Sequence, residues 1–397
     1  MNREDFPLLK QDIIYFDNGA TSLKPKILSD KISDYYNNYS ANAHRGDYDI
    51  SLKVDDSFEK TRNLVKEFIN AKSTKEIIFT SGTTDSLNKI IFGYFKYNLK
   101  ENDEVILTKS EHASNVLPWF ELADELKLKI RYIDLDDNLS VTINNLKKCI
   151  NINTKVISLA LITNVVGDIR PIKEIISLAH QNNILVIGDA AQSIAHTKTD
   201  VRDLDIDFLA FSAHKMYGPT GVGVLYGKEE LLNNIRPIIF GGGMNATYVS
   251  TGIRVYDDIP YLLEAGTQNI AGVIGFGSVI EYINSIGIER IEEYEKELKK
   301  YAVKRLEEVK DIIIINKNTD SSIITFNIKD IFAQDLAIYL NKYHICVRAG
   351  NHCSKILKEN IGIKNTCRAS LSFYNTKEEI DKLVEVLKNP KIKEEII

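Results

Sequence analysis

The sequence predicts an α/β fold: a mostly parallel central sheet with helices on both faces, plus a smaller C-terminal α+β domain. Three observations carry that expectation. Short apolar runs alternate with amphipathic stretches between residues 77 and 226, the order that builds a sheet flanked by helices. The stretch 155–163 (KVISLALIT) is a continuous apolar, partly β-branched run, as strands buried on both faces are. From about Ile270 the texture changes to longer, more charged stretches, which marks a second unit.

Taken in order, Ile77–Thr80 reads as a strand and residues 85–95 as a helix. Glu104–Thr108 is a strand, followed by the run at 155–163. Pro171 opens a helical pattern through Ile175 and Leu178; proline suits a first turn because its missing N–H would be unpaired there anyway. Strands are expected at 184–187, 207–211 and 221–226. Beyond them, 288–309 reads as a long charged helix and 311–328 as two strands around a turn at 317–321. A helix is expected at 333–343, a strand at 345–348, a short helix at 354–360 with Ser354 at its N-cap, and a closing helix at 376–387. The division that follows is residues 1–15 as an N-terminal arm packing with the small domain, 16–268 as the large domain and 269–397 as the small one.

The chain has 397 residues, 44% hydrophobic and 26% charged, with a formal net charge of −5. That is too long for one simple core and ordinary for a globular protein. Nothing in the balance asks for nucleic acid or an anionic membrane as partner. Four cysteines, at 149, 346, 353 and 367, include no CxxC pair, so reduced thiols in a cytoplasmic setting are expected, with no disulfide framework and no metal site. The first ten residues are charged and lack an apolar core, and no run approaches the ~18 apolar residues of a membrane span.

In an open α/β sheet, ligands bind beyond the carboxyl ends of the strands. After Ile77–Thr80 come Ser81-Gly82-Thr83-Thr84 and a helix. Small residues and free helix N–H groups suit a phosphate, although alone this segment reads equally as a helix cap. After 184–187 come Gly188 and Asp189, whose carboxylate suits a metal, a ribose or a cap. After 207–211 come Ser212-Ala213-His214-Lys215, where the lysine is either a surface residue or one that links covalently to a cofactor. After Glu104–Thr108 come Glu111-His112. Jointly these four strand ends offer what pyridoxal phosphate needs: a phosphate cradle, a lysine, a carboxylate for the pyridinium nitrogen and a flat group for the ring face.

The chain is similar to the cysteine desulfurases of the group that includes selenocysteine lyases, within the class V aminotransferase family of pyridoxal-phosphate fold type I. The resemblance runs from Ile14-Tyr15-Phe16-Asp17-Asn18-Gly19-Ala20-Thr21 to Cys367-Arg368-Ala369-Ser370, and is strongest over Ser212-Ala213-His214-Lys215-Met216-Tyr217-Gly218-Pro219-Thr220-Gly221. It implies Lys215 as the cofactor-linking lysine, Asp189 as the pyridinium partner, Gln192 as donor to the phenolic oxygen and His112 as the stacked, catalytic imidazole. Thr83, Ser212 and His214 resemble phosphate ligands, and Thr267 the phosphate ligand lent by the other subunit of a homodimer. Asn164 and Arg368, with Arg348 beside them, resemble the groups that hold the substrate carboxylate, a task suited to an arginine fork.

Of the four cysteines, Cys353 in Arg348-Ala349-Gly350-Asn351-His352-Cys353 reads as lying in a polar loop. Cys346 alternates with apolar neighbours and reads as core, Cys149 ends a helix, and Cys367 precedes Arg368 in a strand-like run. A free cysteine is by default a small buried hydrophobe. The resemblance makes Cys353 the persulfide-forming residue, and its short spacing to Arg368 resembles the second desulfurase group. The implied reaction turns L-cysteine into L-alanine and passes sulfur to an acceptor of iron–sulfur cluster assembly or another thiolation. The chain departs from the family pattern at Asn351 and Ala113, where histidine is usual, at Gln268 and after Cys353, where proline is usual, and at Gly241-Gly242-Gly243, one residue short. Two rivals stand beside this reading: another enzyme of the same fold and cofactor, such as an aminotransferase or a kynureninase-like lyase, and a non-catalytic scaffold. The first needs no cysteine at 353; the second needs no intact set of Lys215, Asp189, His112, Cys353 and Arg368.

Overall fold

The structure is a computed structural model that describes residues 2–44, 46–362, 365–390 and 392–395. Residues 1 and 396–397, at the outer ends of the expected arm and small domain, lie outside it.

A seven-stranded sheet forms the centre, in the spatial order Ile77–Thr80, Gly223–Gly227, Phe208–Ser212, Leu185–Asp189, Thr154–Ala160, Glu104–Thr108 and Lys129–Ile133. Only Gly223–Gly227 runs against the others. The inner strands are buried along nearly their whole length; with helices on both faces, their valines and isoleucines need no polar alternate. The last strand, KIRYI, sits at the edge and leaves Lys129 and Arg131 toward solvent, charges that discourage further strand pairing.

Two apolar layers sandwich this sheet. On one face, Lys26–Asn38, Asp49–Phe68, Ile172–His180 and Ile270–Ile286 share a core with Phe79, Ile157, Val186 and Phe211. On the other, Thr83–Ile90 and Ala113–Leu126 pack Leu87, Trp119 and Leu122 on Val105, Ile187 and Phe208. Helix Ile270–Ile286 buries twelve of its residues. A Cβ on its Gly275 would come 2.8 Å from Leu28 Cδ1, so this helix lies close against Lys26–Asn38. This helix therefore packs in the core of the larger sheet, and not in the smaller unit expected from residue 269 on. A helix apolar all round belongs to a core, whereas the charged helix that follows belongs to a surface. No single helix among the described residues is long and apolar enough to cross a membrane.

Beyond Gly287, Ile288–Leu306, Ala333–Asn341 and Lys377–Leu387 cover a four-stranded antiparallel sheet ordered Ile312–Ile314, Ile323–Ile328, Thr366–Ser370, Arg348–Gly350. The strand expected at 345–348 is two strands. Ile345–Cys346 pairs in parallel with Ile14–Tyr15 of the N-terminal arm, and Arg348–Gly350 joins the antiparallel sheet. Two different partners split the run, which local alternation could not reveal. Phe16, fully buried, packs in the same cluster as Leu298, Phe326 and Leu336.

Candidate active site

Because the strands holding Asp189, Ser212 and Ala160 are parallel, their carboxyl ends open on one edge. A cavity of about 260 Å³ lies there. Its walls hold eleven of the twelve residues singled out from sequence: Thr83, His112, Asn164, Asp189, Gln192, Ser212, His214, Lys215, Arg348, Cys353 and Arg368. Thr267 is not among them; it sits on an exposed turn just before helix Ile270–Ile286.

One end of the cavity is a cradle of small groups. Gly82, with φ +153°, precedes helix Thr83–Ile90. A Cβ there would be strained and 3.2 Å from Ser212 Oγ. The Thr83 N–H donates to Ser212 Oγ at 2.7 Å, and the two hydroxyls lie 2.7 Å apart. A helix N-terminus with hydroxyls at this spacing receives an anion. His214 stands at the same end, where burial, then Lys215 and Lys24, pull its imidazole down to about 4.

The middle holds an amine, an acid and a ring. Lys215 ends the short turn Ala213–Lys215. Burial pushes its ammonium below its ordinary range; Asp189 resists, and Arg368 and Arg348 add to the depression. Asp189 is 5% exposed and accepts from the Ala191 N–H at 2.9 Å through one oxygen. Burial raises its carboxyl to about 6, so it is an acid poised for a cationic partner. His112 caps helix Ala113–Leu126, its Nδ1 accepting from the Ser114 N–H. Gln192 Nε2 donates one hydrogen to the Gly19 carbonyl at 2.8 Å and keeps a second.

The far end is cationic. Arg368 and Arg348 are cross-strand partners. Both face Asp17, Arg368 at 3.1 Å and Arg348 at 3.8 Å. Arg368 also donates to the Asn164 carbonyl at 2.9 Å. Its Nε, buried, has no hydrogen-bond partner among the described residues, a donor left for a ligand. Cys353 is the exposed member of the four cysteines, while Cys367 is buried and Cys149 and Cys346 are half-buried. Cys346 is thus less enclosed than its apolar neighbours suggest, because its strand sits between the arm and the surface.

Residues 351–354 carry Cys353 and are pinned at every step. Asn164 Nδ2 donates to the His352 carbonyl at 2.7 Å, and the Ala113 N–H to the Cys353 carbonyl at 2.8 Å. Ser354 Oγ donates to Asn164 Oδ1 at 3.0 Å. Ser354 does stand at the N-cap of helix Lys355–Ile361, but its side chain makes no cap bond; the buried Asn164 amide captures it instead. His352 Nε2 contacts Thr366 at 3.0 Å, and Lys358 Nζ donates to the same threonine hydroxyl at 2.6 Å. His352 and Cys353 both have positive φ, 52° and 57°, a conformation that such an anchored turn can hold. Sequence reasoning missed Asp17, Thr84, Ala113 and Ser114 as site neighbours. Of these, Asp17 and Thr84 lay in segments that drew attention and Ala113 was noted as a departure from the family pattern, whereas Ser114 gave no signal.

The groups present fit pyridoxal phosphate: an anion cradle at Gly82–Thr83, a buried acid at Asp189, a depressed amine at Lys215 and a flat ring at His112. Among the described residues no group of three or more His, Cys, Asp or Glu could hold a metal.

Residues 14–383 match the family described as Aminotransferase class-V. The chain is 39% identical over 391 residues to a probable cysteine desulfurase of Halalkalibacterium halodurans, covering 97% of this chain and 96% of that one. Its fold is similar to the crystal structure of the Escherichia coli cysteine desulfurase CsdA, in an S-sulfonic acid form, with a TM-score of 0.93 and 33% identity over 100% and 98% of the two chains. It is likewise similar to an apo cysteine desulfurase of Thermococcus onnurineus, with a TM-score of 0.92 and 36% identity over 97% and 96%.

Proposed function

The chain belongs to the class-V aminotransferase family, and on that premise we propose that its cavity desulfurates L-cysteine with Cys353 as the sulfur-accepting residue. The enzyme is a pyridoxal-phosphate-dependent cysteine desulfurase. The bonds balance without an outside oxidant. The Cys353 Sγ bonds to the substrate sulfur, the substrate Cβ–S bond breaks, one thiol proton ends on Cβ and the other stays on the persulfide. L-alanine leaves.

Bound pyridoxal phosphate supplies the electron sink for the pair left when the Cα–H bond breaks. Thr83, Ser212 and His214 would hold its phosphate, Asp189 its ring nitrogen and Gln192 its phenolic oxygen, with His112 against the ring face. Lys215, whose depressed pKa leaves more of the neutral amine, would be the lysine that holds the cofactor and the base that takes the Cα proton on Nζ. The free Nε of Arg368, with Arg348 and the second amide hydrogen of Asn164, receives the substrate carboxylate.

The observation that carries this reading is that Cys353 opens into the same cavity as Lys215, Asp189 and Arg368. An aminotransferase or a kynureninase-like lyase needs no thiol there. Incubation with L-cysteine and no keto acid separates them, because alanine then forms only by desulfuration.

Two finer points belong to the same proposal. Thr267 completes the phosphate site of a second copy, so the working unit is a homodimer. Its exposed position outside its own cavity supports this, as do the exposed Phe240, Tyr248, Val249, Ile253 and Val255 nearby along the chain. The persulfide passes to a sulfur-acceptor protein, of iron–sulfur assembly or another thiolation route. Sedimentation of the purified chain, with and without Thr267→Ala, tests the first point through mass and cofactor retention.

A further inference from the structure

We infer that Ser114 and Thr84 are positioning residues for His112, holding its imidazole as the neutral tautomer with the proton on Nε2. The inference rests on reading the cavity as the cofactor site, since the ring matters to the reaction only there. His112 Nδ1 lies 3.1 Å from the main-chain nitrogen of Ser114. A backbone N–H can only donate, so Nδ1 is bare. Ser114 Oγ also lies 3.1 Å from Nδ1, and a bare nitrogen can only accept. The hydroxyl proton of Ser114 therefore points at the ring. Its oxygen is left to accept from Thr84 Oγ1, 2.7 Å away. One donor order satisfies both contacts, Thr84 to Ser114 and Ser114 to His112, with the Nδ1 lone pair shared between the Ser114 hydroxyl and N–H.

The relay also joins two helices. Thr84 lies in the first turn of Thr83–Ile90, beside the anion cradle, and Ser114 in the first turn of Ala113–Leu126. Among the described residues no hydrogen bond engages His112 Nε2, and the residue lines the cavity. The charged groups that act on the ring from other elements are Lys215 from the turn after Phe208–Ser212 and Arg348 and Arg368 from the small sheet, while Asp189 and Cys353 line the same cavity. The two arginines are cationic, protonated Lys215 would add a third positive charge, and the helix N-terminus adds positive potential. A second proton on His112 would meet all of them and would have to break the Ser114 N–H contact. Burial first, then those cations, hold its pKa down to about 4. His112 thus works as a neutral ring that donates through Nε2.

The test is 15N spectroscopy of histidine-labelled apo-protein, which needs neither cofactor nor turnover. The chain has seven histidines, and His112→Asn assigns the resonance pair. The wild type should show Nδ1 in the range of a bare, hydrogen-bond-accepting nitrogen and Nε2 in that of a protonated one, unchanged from pH 8 to pH 6. Ser114→Ala keeps the main-chain N–H but loses the hydroxyl. It should move the Nδ1 shift toward that of free imidazole and slow single-turnover persulfide formation in the holoenzyme about fivefold, the worth of one neutral hydrogen bond. Ser114→Thr should restore both. A wild-type spectrum with the proton on Nδ1, or a Ser114→Ala shift identical to wild type, overturns the assignment. Failure of the wild-type holoenzyme to form alanine would instead count against the desulfurase reading, because the tautomer is read in apo-protein.

Discussion

The Cys353 carbonyl accepts a hydrogen bond from the main-chain N–H of Ala113 at 2.8 Å. The residue proposed to receive sulfur is therefore docked on the first helical residue after His112, the histidine proposed to stack on the cofactor ring. Ala113→Pro removes that N–H alone. Proline is tolerated at the first helical position, and His112, at φ −70° and ψ 148°, already has the extended geometry that a following proline requires. The variant should melt within a few degrees of wild type and form persulfide about fivefold more slowly, the worth of one hydrogen bond. Single-turnover persulfide formation after a cysteine pulse measures it; an unchanged rate means the docking contact is idle.

The docked loop also limits reach. Four residues, 351–354, separate strand Arg348–Gly350 from helix Lys355–Ile361. An extended chain spans at most ~3.3–3.6 Å per residue, and this one is tied at both ends. The persulfide thus stays at the cavity mouth, and an acceptor must bring its own thiol to it. Turnover should be slow with cysteine and a simple thiol reductant, and several-fold faster with a cognate acceptor protein. Steady-state alanine production with and without such acceptors decides; fast turnover with reductant alone, unaffected by any acceptor, contradicts the short reach.

Lys215→Ala should abolish the covalent, borohydride-reducible link to pyridoxal phosphate and the yellow colour that goes with it. Loosely held cofactor can persist through Thr83, Ser212 and His214. Reduction followed by mass measurement tests this, and a persistent covalent adduct in the variant would move the lysine assignment elsewhere.

Acid should weaken the apo-protein through its histidines. Burial, aided by nearby cations, holds His112 and His214 near 4 and His352 near 3. In an unfolded chain they titrate near ~6.5. The folded values are depressed, so from about pH 6.5 down to 4 the unfolded state binds protons that the folded state refuses, and stability falls with pH. Asp189, raised to about 6, acts in the opposite sense over part of that window. His352→Asn should shrink the stability loss between pH 7 and pH 5 by on the order of 1 kcal/mol. Denaturant unfolding at the two pH values measures it; equal losses in both proteins contradict the assignment to His352.

What the sequence made legible was whatever a strand end announces. Asp189, Ser212, Lys215 and His112 follow short apolar runs, and parallel packing carries them to one edge without further information. The pinning of Cys353 was not legible. It depends on Asn164 and Ala113, 189 and 240 residues distant in sequence (353 − 164 and 353 − 113), and on which side chain Ser354 chooses as partner. Local spacing offered Ser354 a helix cap, and a buried amide outbid it. The same limit hid where Ile270–Ile286 packs: it looks like the start of something new, yet its all-round apolar surface closes the larger core. Helix Asp49–Phe68 escaped notice because Val54, Phe58 and Val65 are spaced among charges and only its partners make the stripe visible.

The central claim is that Cys353 takes the sulfur. The most direct measurement is peptide mapping by mass spectrometry after the holoenzyme meets one equivalent of L-cysteine, with alanine counted in parallel, for wild type and Cys353→Ser. The serine is near the thiol in size and keeps the loop contacts, so cofactor and substrate should still bind. The account predicts one persulfide sulfur per alanine on the Cys353 peptide of the wild type and none on the variant. Wild-type amounts of persulfide in the variant, or a persulfide mapped to Cys149, Cys346 or Cys367, would contradict it.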